Sequence, residues 1–389
     1  MGYFISFIFR NVTAVIAKDL VAEFALTSAD LGFLTSMYLF AFAAAQLPLG
    51  LLLDRYGPRR TVAALLCVAV VGALVFALAR DLASLAVGRA LIGLGVSAGL
   101  MGAIKAFTLW FPLSRLATLN GVYLAVGGLG ALAATSPAEA LAGAIGWRGM
   151  FIVLSVLALG AAVLIFMVAP EKPLPGHGQS LRAQIAAFRR IFAMLAFWRI
   201  ALPAGVGQGI TIALMGLWLG PWLADVAGQS RQGVANHLLI AALAYIAGSM
   251  FFGVASDRLA QLGISRMLVF KVGLSISIAM LALIAAGVQV GVGAILAVYT
   301  FTGVSASLAY ALLTPLFPPE MTGRVSTVAN VLIFTLGFAI QWAVGAALRL
   351  YPVVDGRYAP AGYAAAFATL VALQLLALAW LWPMRQPRL

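Results

Sequence analysis

The stretch GLLLDRYGPRR at residues 50–60 separates two long apolar runs and recurs in the second half of the chain as GVASDRLAQLG, residues 253–263. Gly50, Asp54 and Arg55 reappear as Gly253, Asp257 and Arg258, each 203 positions later. Gly57 and Arg60 have looser counterparts further along the second copy. An internal repeat of this period predicts two structurally similar halves.

The composition around this repeat excludes a soluble globular protein. Of the 389 residues, 64% are apolar and 9% are charged, whereas soluble domains carry about 25% charged residues. A membrane-spanning helix needs about 20 apolar residues, and the long unbroken apolar runs exclude a transmembrane barrel, whose strands alternate over about 10 residues. The sequence therefore predicts an all-α polytopic membrane protein.

Charged and Pro/Gly-rich breaks divide the apolar sequence into twelve predicted spans. These are residues 3–20, 31–53, 61–80, 84–109, 118–137, 149–169, 199–221, 236–256, 267–287, 291–314, 326–347 and 362–383. We expect an N-terminal six-helix bundle at 1–169, a polar cytoplasmic linker at 170–198 and a C-terminal six-helix bundle at 199–389. Two pseudo-symmetric halves of equal orientation predict a binding site between them near the midplane.

The net charge of +13 is explained by basic loops, which set the orientation of a membrane protein according to the positive-inside rule. Placing residues 54–60 inside puts most Lys and Arg residues, both termini and the central linker in the cytoplasm. We therefore expect a multi-pass protein of the inner (cell) membrane whose basic loops meet anionic lipid rather than nucleic acid.

Enzyme chemistry has no sequence support. The single Cys67 lies in an apolar run, and His177 and His237 are isolated from one another. No nucleophile–base constellation and no metal-ligand cluster appears, so we expect no cofactor and no bound metal.

Further motifs occur at matching span positions. They are VGRALIGLGVSAG at 87–99, WFPLSR at 110–115 and GWRGMF at 146–151. On the basis of these motifs and the repeated loop, the chain resembles the major facilitator superfamily over its whole length. The resemblance implies a monomeric secondary transporter that works by alternating access, as a symporter, an antiporter or a facilitator.

Two motifs have expected conformational roles. The resemblance implies that Gly50, Asp54, Arg55, Gly57 and Arg60, with Asp257 and Arg258 in the repeat, form a conformational latch. The simpler alternative is that these charges stop the helices from sliding through the bilayer. In the fourth span, Gly93 allows close helix approach, and Arg89 resembles a structural or coupling residue of the family.

The substrate site is predicted from charges inside the spans, which are functional hypotheses by default. Arg10 lies about 10 Å into the first span at 1.5 Å per residue, and Lys105 lies in the fourth. The resemblance implies that a first-helix Arg and a fourth-helix basic residue hold an anion, as in carriers of sugar acids and phosphate esters. For Lys105, snorkelling to the cytoplasmic surface is the alternative.

Polar and aromatic residues at helical spacing complete the predicted site. They are Tyr38, Tyr123, Gln208, Trp218, Asn330 and Gln341. Aromatic stripes are more commonly packing residues, and we expect Trp222 to be an interfacial anchor.

Departures from the family pattern narrow the function. Phe9 stands beside Arg10 where many proton-coupled relatives have a carboxylate, and all 11 acidic residues lie at or near predicted span ends. The seventh span has Thr211 and Ala213 where phosphate-ester exchangers tend to have an Arg. We therefore expect a carrier of a small organic anion, with a carboxylate favoured over a phosphate ester. The alternatives are an exporter of drugs or hydrophobic metabolites and, more remotely, a transporter-like sensor.

Overall fold

The computed structural model describes residues 1–111, 113–170, 189–318, 321–354 and 356–384. Within these ranges the structure consists of helices joined by turns and short loops, and its strands form one short hairpin. The side chains of Asp54 and Asp257, and residues 171–188 of the predicted linker, lie outside the described part.

Seven helices make up the described first half. They are α1 (Gly2–Asn11), α2 (Thr13–Phe24), α3 (Ser28–Ala77), α4 (Leu82–Val96), α5 (Gly99–Trp110), α6 (Leu113–Ala133) and α7 (Ser136–Val168).

The second half has further helices and the hairpin. The helices are α8 (Leu195–Ala213), α9 (Leu219–Asp225), α10 (Arg231–Gln261), α11 (Arg266–Ala285), α12 (Val292–Gly303), α13 (Leu308–Leu313), α14 (Thr322–Leu348) and α15 (Pro360–Leu381). A π-helical turn (Leu214–Trp218) joins α8 to α9, and a 3-10 turn (Val304–Ser307) joins α12 to α13. The strands β1 (Val353–Val354) and β2 (Arg357–Tyr358) pair antiparallel.

These helices confirm the predicted fold class. In the described residues, ten segments are long and apolar enough to cross a membrane. They coincide with ten of the twelve predicted spans. The other two predicted spans fall on α1–α2, where the helix is interrupted at Val12, and on α6. The chain divides into two compact units, Met1–Gly178 and Gln179–Leu389.

Glycines produce the sharp turns between spans. Gly57 breaks α3 with φ 76° and ψ 166°, and Gly146 breaks α7 with φ 74° and ψ 163°. Side chains with a Cβ are strained in this region of backbone conformation. Predicted spans 31–53 and 61–80 therefore lie on either side of the turn at Gly57 in α3.

Helix α4 begins at a hydrogen-bonded cap and packs closely on α3. Asp81 accepts hydrogen bonds from the backbone N–H and the hydroxyl of Ser84, and these bonds hold the pKa of the Asp81 carboxyl below its ordinary value. Further along α4, a Cβ built on Gly93 would lie 2.2 Å from the carbonyl oxygen of Tyr38. Only glycine permits this approach of the two backbones.

Candidate functional site

Arg10 lies on a half-exposed face of α1. Tyr3, Phe7 and Arg10 share this face at i, i+4 and i+7, whereas Ile5 and Phe9 are buried. The Arg10 Cζ lies 4.8 Å from the centre of the Phe7 ring and 5.4 Å from the centre of the Phe42 ring. The guanidinium charge is therefore attracted to two aromatic faces.

Tyr38 is buried beneath the surface that carries Arg10 and contacts both α1 and Phe42. Its ring is stacked on Phe42 with centroids 6.1 Å apart, and its hydroxyl donates to the Ser6 carbonyl at 3.1 Å. The side chain is only 1% exposed. In this structure Tyr38 is buried and positions α1 and Phe42.

Arg89 is fully buried and joins α4 to α1. Its Nη1 donates to the Phe9 carbonyl at 2.8 Å, and its Cζ lies 5.3 Å from the Tyr38 ring centre. Phe9 precedes Arg10 and lies three residues before the interruption at Val12. Arg89 thus fixes the backbone from which Arg10 extends, which the sequence motif alone did not reveal.

Lys105 is not brought to Arg10. A Cβ built on Gly99 would lie 3.4 Å from the Gly2 carbonyl, while Arg89 lies level with Phe9, so α1 runs antiparallel to α4 and α5. Lys105 is 16 residues beyond Arg89, roughly 24 Å along a helix. In this structure a small anion at Arg10 is therefore too far from Lys105 to contact both side chains.

Tyr123 lies beside the first turns of α1. Its ring stacks on Tyr3 at 5.3 Å and 16°, it meets Phe107 edge-on at 5.6 Å, and its hydroxyl donates to the Gly99 carbonyl. The structure thus brings Tyr123 to the same half-exposed face as Arg10. The sequence analysis did not select Tyr3 and Phe7, although their helical spacing from Arg10 already indicated that the three side chains share one face.

In the second half, two predicted residues have hydrogen-bonded tyrosine partners. The Gln208 Nε2 donates to the Tyr245 hydroxyl at 3.0 Å, and the Tyr310 hydroxyl donates to Asn330 Oδ1. Gln208 and Asn330 are half-buried. They are the predicted residues of this half that retain access to a ligand.

Two other predicted residues of this half are packing residues. Trp218 is 0% exposed and its Nε1 donates to the Gln341 carbonyl at 2.9 Å, while Gln341 is 3% exposed. Trp222, expected at the membrane interface, is 1% exposed, so that expectation is wrong. A sequence stripe identifies a helical face but cannot say whether another helix covers it.

The signature turn has a defined backbone. Gly57 and its looser counterpart Gly263 have φ of 76° and 82°, so both positions have the positive φ that favours glycine. The Arg59 Nε donates to the Phe166 carbonyl at 2.6 Å, which ties the turn to the end of α7. The Arg55 Cζ lies 5.3 Å from the Tyr56 ring centre, and Arg60 and Arg258 are exposed.

The acidic residues near span ends have distinct surroundings. Glu23 forms an ion pair with Arg148 and accepts a hydrogen bond from Trp147 Nε1 at 2.8 Å. Glu139, in the first turn of α7, is buried, which its sequence position did not predict. Across the described ranges, no group of three His, Cys, Asp or Glu side chains could hold a metal ion.

Comparison with known proteins agrees with this architecture. The sequence model of the Major Facilitator Superfamily matches residues 1–341. The chain is 27% identical over 300 residues to the probable sulfoacetate transporter SauU of Cupriavidus necator, which covers 72% of this chain and 69% of that protein.

Two further similarities are partial in sequence or purely structural. The nitrate/nitrite transporter NrtP of Picosynechococcus sp. is 34% identical over 129 residues, which is 33% of this chain and 24% of that protein. A crystal structure of a bacterial homolog to the human lysosomal transporter Spinster, inward-facing and occupied, superposes with a TM-score of 0.79 at 17% identity. The superposition covers 98% of this chain and 94% of that one.

Proposed function

The chain belongs to the major facilitator superfamily, and from this premise we propose that it carries a small organic anion across the cell membrane by alternating access. It is a multi-pass membrane transporter, and its relatives are transporters rather than enzymes. We place its termini in the cytoplasm because the basic loops lie on that side, and we expect a monomer.

The observation that carries the proposal is the position of Arg10. A permanently charged guanidinium lies on a half-exposed face of α1, within the first predicted span, and its charge is attracted to the rings of Phe7 and Phe42. Intramembrane arginines face a bundle interior or a water-filled cavity because lipid does not solvate them. A guanidinium fork in such a cavity suits the two oxygens of a carboxylate.

The sequence of the second half favours a singly charged head group over a phosphate ester. Thr211 and Ala213 occupy the region of α8 where a second cation would balance a doubly charged phosphate, and Thr211 is buried. The names of the relatives support an anionic cargo, since sulfoacetate, nitrate and nitrite are small anions.

Counterflow in proteoliposomes tests the proposed function. We expect small carboxylates to exchange across the membrane, and we expect exchange to persist after the proton gradient is collapsed with an ionophore. The reason is that the proposed site centres on a cation, and Glu23 is paired with Arg148. The measurement is uptake of labelled anion into vesicles loaded with unlabelled anion.

Cationic and neutral hydrophobic drugs serve as the comparison in the same vesicles. Exchange of drugs without exchange of anions would contradict this proposal and favour an exporter of drugs or hydrophobic metabolites. Complete loss of anion exchange at zero gradient would reveal an obligatory proton site, for which the buried Glu139 is the first residue to replace with Gln.

We further propose that Gly50, Asp54, Arg55, Gly57 and Arg60 form a conformational latch, with Asp257 and Arg258 as its repeat. The support is the shared positive φ at Gly57 and Gly263 and the Arg59 bond to Phe166. A carboxylate at a helix end interacts favourably with the positive N-terminus of a helix.

Replacing Asp54 with Asn tests the latch. Because a latch acts on conformational exchange rather than on the substrate, we expect a slower counterflow rate with unchanged equilibrium affinity by thermal shift. Arg349→Gln, an exposed change at the end of α14, is the control. An unchanged rate in Asp54→Asn would leave only a topological role for this residue.

A further inference from the structure

An unbroken series of aromatic rings extends from Arg10 along the half-exposed face of α1. The Phe7 ring lies 4.8 Å from the Arg10 Cζ, the Tyr3 ring 4.9 Å from Phe7, and the Tyr123 ring 5.3 Å from Tyr3. Phe107 continues the series at 5.6 Å from Tyr123. We call Phe7, Tyr3, Tyr123 and Phe107 the aromatic track.

The track is held in place from behind. A Cβ built on Gly127 would lie 2.3 Å from the Tyr3 ring, so this ring rests directly on the α6 backbone. The Tyr123 hydroxyl is bonded to the Gly99 carbonyl. All four rings are half-buried, so each keeps part of its surface accessible while its orientation is set by packing.

Next to Arg10, the neighbouring rings of Phe7 and Phe42 present carbon atoms rather than hydrogen-bonding groups. Asn11, the polar neighbour on this helix, donates its Nδ2 hydrogen to the Phe7 carbonyl at 3.0 Å. A substrate hydroxyl stacked against the ring faces of Phe7 and Tyr3 would exchange hydrogen bonds with water for contacts with carbon atoms, and each hydrogen bond lost in this way costs about 1–3 kcal/mol. An aromatic or unsaturated body would instead gain ring contacts at offset-stacked or edge-on geometry.

Resting on the proposed function, we propose that the substrate is an anion with a flat apolar body, of the benzoate type, rather than a polyhydroxylated acid. Its carboxylate meets the Arg10 guanidinium and its ring lies along Phe7 and Tyr3. The distance from the Arg10 guanidinium to the Phe7 ring and the distance from the Phe7 ring to the Tyr3 ring are each about 5 Å. These spacings suit a molecule whose carboxylate is attached directly to a single ring.

Ligand pairs with equal charge test this assignment. Binding of acetate, benzoate, cyclohexanecarboxylate and gluconate is measured by isothermal calorimetry on the purified full-length chain. We expect benzoate to bind at least tenfold more tightly than gluconate and severalfold more tightly than cyclohexanecarboxylate. Tyr3→Leu is expected to lower the ratio of benzoate to acetate affinity about fivefold, the scale of one aromatic pair.

Gly127→Ala provides a second variant that leaves every track side chain present. Its new methyl group must displace the Tyr3 ring, so the benzoate-to-acetate ratio is expected to fall here too. Gly160→Ala, where no atom lies within 4 Å of the added Cβ, is the matched control and should leave the ratio unchanged.

The outcomes separate this inference from the proposed function. If gluconate binds as tightly as benzoate and Tyr3→Leu leaves the ratio unchanged, the aromatic-body assignment is overturned while the anion carrier stands. If no carboxylate binds, or neutral benzamide binds as well as benzoate, the proposed function itself fails and the inference fails with it.

Discussion

Replacing Arg10 with Gln is expected to weaken binding of a small carboxylate by about 1.5–3 kcal/mol, the range for a hydrogen bond to a charged group. At 1.4 kcal/mol per factor of ten, this is a loss of about 10- to 150-fold in affinity. The physical reason is that Gln keeps a donor but removes the charge and the planar fork. Calorimetric titration with acetate and benzoate measures the loss.

Two further variants make the Arg10 result specific. Arg10→Lys should recover only part of the affinity because an ammonium retains the charge but not the fork. Arg349→Gln removes an exposed charge at the end of α14 and should leave the affinity unchanged. Intact anion affinity in Arg10→Gln, with a loss of drug binding, would favour the exporter reading.

Replacing Gly93 with Ala is expected to destabilise the N-terminal bundle by about 1–3 kcal/mol, the usual cost of overpacking. The added methyl group would lie 2.2 Å from the Tyr38 carbonyl oxygen and 2.9 Å from its Cα. Backbone atoms cannot rotate away as a flexible side chain can, so α3 and α4 must separate. A lower midpoint of thermal unfolding in detergent is the expected result.

Gly160→Ala is the matched control for Gly93→Ala. Alanine is favoured over glycine inside a helix by about 1 kcal/mol, and the Gly160 site is open, so this variant should be as stable as the parent or more so. The same substitution thus shifts stability in opposite directions at the two sites. An undiminished midpoint in Gly93→Ala would mean that the two backbones are not held this closely.

The separation of α3 and α4 expected in Gly93→Ala should also affect anion binding. Tyr38 lies between Gly93 and the Arg10 region, since its hydroxyl bonds the Ser6 carbonyl and its ring lies under Arg89. A shifted Tyr38 backbone should therefore reduce anion affinity as well as stability. Gly160→Ala, far from this path on α7, should change neither.

The sequence by itself determined the membrane class and the two-half architecture, and it singled out Arg10 as the residue on which the proposed site centres. Long apolar runs must become helices in lipid because only helices and closed barrels satisfy every backbone hydrogen bond there. The repeated DR motif revealed the duplication. A charge inside an apolar run is conspicuous without any knowledge of its neighbours, which is why Arg10 could be selected from its position alone.

Tertiary structure alone decided which of the other predicted residues are covered by neighbouring helices. Helical spacing places Tyr38, Trp218 and Trp222 on faces, but burial depends on the helix packed opposite, and all three proved to be covered. Lys105 and Arg10 share a charge type, yet antiparallel packing of α1 against α4 and α5 sets them roughly 24 Å apart along the helix axis. Likewise, Tyr3, Phe7, Tyr123 and Phe107 come from three helices, so their common face exists only once α1, α5 and α6 are packed together.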